Sequence, residues 1–84
     1  RVVRFTLRAP TASRVTLVGD FNGWDPDAAP LARRGEEWTI AIPVLPGRHA
    51  YGFIVDGAEW IPDPAAPRAE TDFGTPNSVV VVGT

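Results

Sequence analysis

The 84-residue chain has no cysteine, no lysine and a single histidine. Without cysteine, disulfide staples and thiolate metal sites are excluded. The compartment stays open, with the cytosol slightly favoured. Every one of the eight cations is an arginine; beside abundant Ala, Gly and Pro, that usage points to a GC-rich bacterial genome. A formal net charge of −2 provides no basic footprint for nucleic acid or for an anionic membrane surface. No apolar run approaches the roughly 20 residues of a membrane helix. No window shows a convincing 3.6-residue period, so long helices are not expected.

What is present is turn chemistry and alternation. Nine prolines and eight glycines suit many short elements joined by tight turns. The length gives room for one domain, 1–84, with one core and little volume for a deep catalytic cleft. A start at Arg1 rather than Met leads us to expect a piece of a longer chain. In Arg1–Arg8, Val3, Phe5 and Leu7 alternate with Arg4, Thr6 and Arg8, the period of a half-buried strand. Arg14–Asp20 forms a second strand, with Val15 and Leu17 on one face. Asn22-Gly23 is a turn signal because both residues tolerate positive φ, and Asp25–Pro30 is expected as a loop. Glu36–Val44 alternates Trp38, Ile40 and Ile42 with polar or small residues, which assigns Trp38 to the core. Pro46-Gly47 is expected to close a hairpin into Arg48–Asp56, where Tyr51, Phe53 and Val55 alternate. Asp56-Gly57 turns again, and a short strand is expected near Trp60. The Pro- and Ala-rich stretch 61–73 is expected to cross between sheets, and Asn77–Val82 to be a strand buried on both faces or pairing centrally. About seven short strands between such turns predict an all-β, immunoglobulin-like sandwich.

Catalytic constellations are weak. His49 lies within a strand, where a hydrogen-bonding role fits better than general base catalysis. Asp25 and Asp27 read as turn residues rather than a calcium loop. Asp72-Phe73-Gly74 spells a kinase triplet by chance in so short a β chain. Nothing marks a glycosidase-type carboxylate pair, and no metal or cofactor is implied.

The aromatic residues say more. Trp24 and Trp60 each stand beside a turn, where an indole can be partly exposed, although a partly buried core residue is the commoner outcome there. Two indoles on one surface form a platform for sugar rings, whose apolar C–H faces leave water on stacking. Asn77, at the start of the last strand, offers an amide with both donor and acceptor for hydroxyls.

Four stretches taken together resemble the family 48 carbohydrate-binding modules, which include the glycogen-binding domain of the AMP-activated protein kinase β subunit and the early-set domains of isoamylases and branching enzymes. They are V-T-L-V-G-D-F-N-G-W-D (15–25), E-W-T-I-A-I-P-V-L-P-G-R-H-A-Y-G-F-I-V-D-G (37–57), W-I-P-D-P (60–64) and F-G-T-P-N-S-V-V-V-V (73–82). The resemblance implies an early-set sandwich that binds α-1,4-linked glucan (glycogen, starch or maltodextrin) without catalysing a reaction. It implies stacking by Trp24 and Trp60, polar contacts from Thr75 and Asn77, and an apolar contact from Phe73. Attached domains of a longer chain are the other expected partners. One position departs: where kinase-type modules carry a lysine after the Tyr of H-x-Y, this chain has Gly52, the loss of a hydroxyl-binding donor for which Arg48 or Arg33 could substitute. Gly52 therefore favours an alternative, an interaction or spacer domain of the same fold that has lost sugar binding. A further alternative is the accessory domain of a larger α-glucan-processing enzyme.

Overall fold

The computed structural model describes residues 1–69 and 77–83. Among these, eight strands follow in chain order: β1 (Val2–Arg8), β2 (Val15–Gly19), β3 (Ala32–Arg34), β4 (Glu37–Pro43), β5 (Gly47–Val55), β6 (Glu59–Ile61), β7 (Arg68–Ala69) and β8 (Asn77–Val82). One 3-10 turn covers Asp20–Asn22. The strands form two antiparallel sheets, β1-β4-β3 and β2-β5-β8-β7, with β6 paired to the second half of β5. The fold is an all-β immunoglobulin-like sandwich.

The alternation of the sequence is the alternation of burial. Phe5 and Leu7 of β1 are buried while Arg4 and Arg8 are exposed. Trp38 from β4 meets them in the core together with Tyr51, Phe53 and Val55 from β5. The indole N–H of Trp38 donates to the Ala9 carbonyl at 3.0 Å, so the one polar atom of that ring is satisfied.

In β2 all five residues are buried, not only Val15 and Leu17. The loop after Asp25 folds back along the strand. Leu17 N–H donates to Ala29 O at 2.8 Å and Leu31 N–H to Val15 O at 2.9 Å. An edge that would otherwise present free backbone groups is thereby covered. Within this loop, Asp27 N–H donates to Asp25 Oδ1 at 2.9 Å, the turn chemistry expected of that pair.

Two connections differ from expectation. Pro46-Gly47 closes no hairpin: β4 pairs with β1 and β3, whereas β5 pairs with β2, β6 and β8. The chain here passes from one sheet to the other. Val44 turns inward at this point (3% exposed), and its N–H donates to Arg1 O at 2.9 Å. The stretch read as crossing between sheets instead links β6 to β7 and β8, all in the five-stranded sheet. A buried polar junction keeps it there. Asp63 Oδ2 accepts from the Tyr51 hydroxyl at 2.7 Å, Asp63 N–H donates to Ser78 Oγ at 2.6 Å, and Ala65 N–H donates to Asp63 Oδ1 at 3.0 Å. Burial, and then the Asp63 acceptor, push the Tyr51 phenol well above its ordinary range.

Candidate functional site

The site begins at the end of β2, in the stretch F-N-G-W. Phe21 turns towards the core, its ring 5.6 Å from Phe5 and 6.5 Å from Tyr51. Asn22 bends back onto the strand: Oδ1 accepts from Gly19 N–H at 3.1 Å, and Nδ2 donates to Leu17 O at 3.0 Å. Gly23 then takes a left-handed backbone, φ 67°. Positive φ falls not on Asn22, as the turn signal suggested, but on Trp24, at 59°. Trp24 N–H closes the turn onto Gly19 O at 2.9 Å. A left-handed backbone is an outlier for a bulky side chain and costs roughly 1–2 kcal/mol. That strain places a large apolar ring where it is 43% exposed.

Trp60 arrives from β6, which the three-residue turn through Asp56-Gly57 folds against β5. The Asp56 carboxylate anchors that turn by accepting from Ser13 N–H at 2.7 Å and Arg14 N–H at 2.9 Å. Ile54 stands directly opposite Trp60. The half-buried Trp60 ring leans over Gly52 and meets Trp24, ring centroids 6.4 Å apart and planes at 41°. The structure therefore brings together the two tryptophans singled out from the sequence, on the face of the five-stranded sheet turned away from the core.

Asn77 opens β8 and is half-buried. Its neighbour Ser78 pairs with Tyr51, is fully buried and bonds Asp63, so alternation turns Asn77 to the face that carries Trp60. Phe73 and Thr75 lie outside the described residues. The two arginines considered in place of a lysine part company. Arg33 belongs to the other sheet, where it bonds Gly35 O at 2.9 Å and Pro10 O at 2.8 Å and lies 5.8 Å over the Trp38 ring. Arg48, four residues before Gly52 on β5, is exposed.

His49 holds the loop that leads to Trp24. Its Nδ1 lies 2.8 Å from Asp20 Oδ1 and its Nε2 2.8 Å from Leu45 O, while Asp20 Oδ2 accepts from Ala50 N–H at 2.9 Å. Both ring nitrogens face acceptors, so the imidazolium satisfies both. The Leu45 carbonyl and then Asp20 raise its pKa above 6.5. A folded-state pKa above the unfolded value stabilises fully below about pH 6.5, and the gain is lost as pH rises through the folded value. We expect thermal stability to decline between pH 6 and pH 8.5 more steeply in the parent than in His49→Gln. Parallel slopes would remove His49 from this role.

Comparison with known proteins places the fold in a family. The family match over this two-sheet fold defines a carbohydrate-binding module. The chain belongs to family 48 of these modules, through the family described as the glycogen recognition site of AMP-activated protein kinase, which matches residues 3–84. It is 39% identical over 79 residues to the 1,4-alpha-glucan branching enzyme GlgB of Pseudomonas aeruginosa, covering 87% of this chain and 11% of that enzyme. It is 41% identical over 87 aligned residues to GlgB 1 of Xanthomonas axonopodis pv. citri, covering 94% of this chain and 12% of that enzyme. Among solved structures, the maltogenic amylase from S. marinus superposes with a TM-score of 0.78 at 25% identity, over 99% of this chain and 14% of the amylase. The chain thus spans only about a tenth of the curated relatives it matches.

Proposed function

We propose that this module holds α-1,4-linked glucan on the outer face of the five-stranded sheet and tethers an attached catalytic domain to glycogen, starch or a shorter maltodextrin. Trp24 and Trp60 are the stacking surfaces, Asn77 orients hydroxyls, and Phe73 and Thr75 join them by the family resemblance. The observation that carries this reading is Trp24, a large apolar side chain kept 43% exposed at a strained φ of 59° and in contact with a second indole. What the ring contact contributes to stability is offset by the strained backbone that presents it. The names of the relatives, branching enzymes and an amylase, support the substrate class.

A shallow surface with few anchors gives dissociation constants from about mM to µM. Titration with maltoheptaose should change the tryptophan emission and saturate in that range, whereas cellohexaose should not. An emission indifferent to maltoheptaose up to 10 mM or so, well above that range, leaves the module as a spacer or an interaction domain.

A further inference from the structure

The described glycines fall into contrasting groups. Gly23, Gly35, Gly47 and Gly57 have positive φ, and a Cβ added at any of them would meet nothing within 4 Å. These are glycines for the backbone. Gly52 is the reverse. Its φ is not in the left-handed region, so any residue could adopt its backbone. Yet a Cβ there would lie 2.3 Å from Trp60 Cζ2 and 2.7 Å from both Cε2 and Cη2. Gly52 is glycine for space. Trp60 stands across from Ile54 and reaches diagonally over β5 into the volume that a side chain at 52 would fill. An aromatic ring laid over a strand glycine also restores the packing that the glycine lacks. The same ring meets Trp24 at 6.4 Å.

We propose that Gly52 is a positioning residue of the glucan site: having no side chain, it lets the Trp60 indole lie down on the sheet against Trp24, so the sugar meets two abutting rings rather than a flexible cation. This rests on the glucan reading above. Gly52 is then the condition for the platform and not a lost donor. A lysine introduced at 52 adds no useful hydrogen bond, because its stem lifts Trp60 away from the sheet and from Trp24.

The test uses Gly52→Lys and Gly52→Ala, with Gly52→Ala repeated in a Trp60→Ala background. Thermal unfolding, the circular-dichroism exciton signal of the tryptophan pair and maltoheptaose titration are the readouts. Gly52→Ala should lower Tm by at least about 5 °C when Trp60 is present and weaken the exciton signal. In the Trp60→Ala background the same change should leave Tm level or raise it, which also covers a Gly52→Ala chain that fails to fold. Gly52→Lys should weaken maltoheptaose binding at least tenfold. Tighter binding by Gly52→Lys, an unaltered exciton signal in Gly52→Ala, or an equal Tm loss with and without Trp60 would each overturn the proposal. If the parent binds no maltoheptaose, the glucan reading falls and takes the sugar half with it. The spacing of Gly52 and Trp60 is still decided by Tm and the exciton signal.

Discussion

Trp24→Gly is expected to release the module from glycogen while leaving its Tm within about 8 °C of the parent. Two contributions act in opposite directions on stability. Trp24 sits at φ 59°, a conformation that costs an L-residue roughly 1–2 kcal/mol and glycine almost nothing. Against that relief stand the ring contact with Trp60, worth about 0.5–1.5 kcal/mol, and the greater freedom of glycine in the unfolded chain, about 0.4–1 kcal/mol. The difference is near zero, within about 1 kcal/mol. Binding has no such compensation. Stacking one sugar face removes about 100 Å² of apolar surface from water, or about 2.5 kcal/mol, so affinity drops between about tenfold and a hundredfold. Trp38→Ala is the contrasting control. That ring is 7% exposed, with its N–H donating to Ala9 O, and its loss should cost about 3–5 kcal/mol. Retention on a glycogen column and thermal unfolding separate the cases. A Trp24→Gly chain that melts like Trp38→Ala makes Trp24 a core residue, and one that is stable yet still retained removes it from the site.

The contrast between these two tryptophans was legible before any coordinates, because Trp38 keeps phase with Ile40 and Ile42 whereas Trp24 follows Asn22-Gly23. Alternation likewise located the long strands to within a residue at either end: Arg14–Asp20 became Val15–Gly19, and Glu36–Val44 became Glu37–Pro43. It missed β3, three exposed residues with no buried face to alternate with, and β7, which at two residues is too short to show a period. Nor does alternation say which strands pair. Pro46-Gly47 has the composition of a hairpin turn, and only the inward turn of Val44 sends β5 to the other sheet. The close approach of Trp60 to Gly52 was illegible for a related reason. A residue compared with its counterpart in a family looks like a deletion. Its contact is with a diagonal cross-strand neighbour, and that requires the register Ile54↔Trp60. The left-handed backbone of Trp24 left no trace either, because the glycine before it seemed enough to make the turn.

Asp63 reads in the sequence as one residue of a proline-rich loop, yet its replacement should disturb folding as much as loss of the core Trp38 ring. Asp63→Ala is expected to lower Tm by about 12 °C or more. Asp63 is 8% exposed, and its carboxylate accepts from the Tyr51 hydroxyl and from Ala65 N–H. Removing it strands the Tyr51 hydroxyl, on a residue that is only 3% exposed. A buried donor without a partner costs about 1–3 kcal/mol, and a hydrogen bond to a charged group contributes about 1.5–3 kcal/mol. Together they approach about 3–5 kcal/mol, against a total near 4–13 kcal/mol for a chain of this length. Two controls define the mechanism. Adding Tyr51→Phe should recover part of the loss, because no donor is then left stranded. Asp63→Asn, which keeps an acceptor oxygen, should cost about 1–2 kcal/mol. The consequence reaches the glucan face through position: the carboxylate fixes the loop whose backbone N–H at residue 63 donates to Ser78 Oγ, a donor that Asp63→Ala keeps but no longer holds in place, and Ser78 is the residue after Asn77 in β8. The same junction that ties the loop after Trp60 to the core sets where β8 begins. Below its own Tm, the Asp63→Ala chain should therefore lose maltoheptaose affinity, with both indoles still in the chain. Unchanged stability, or reduced stability with full affinity, would uncouple the buried carboxylate from the platform above it.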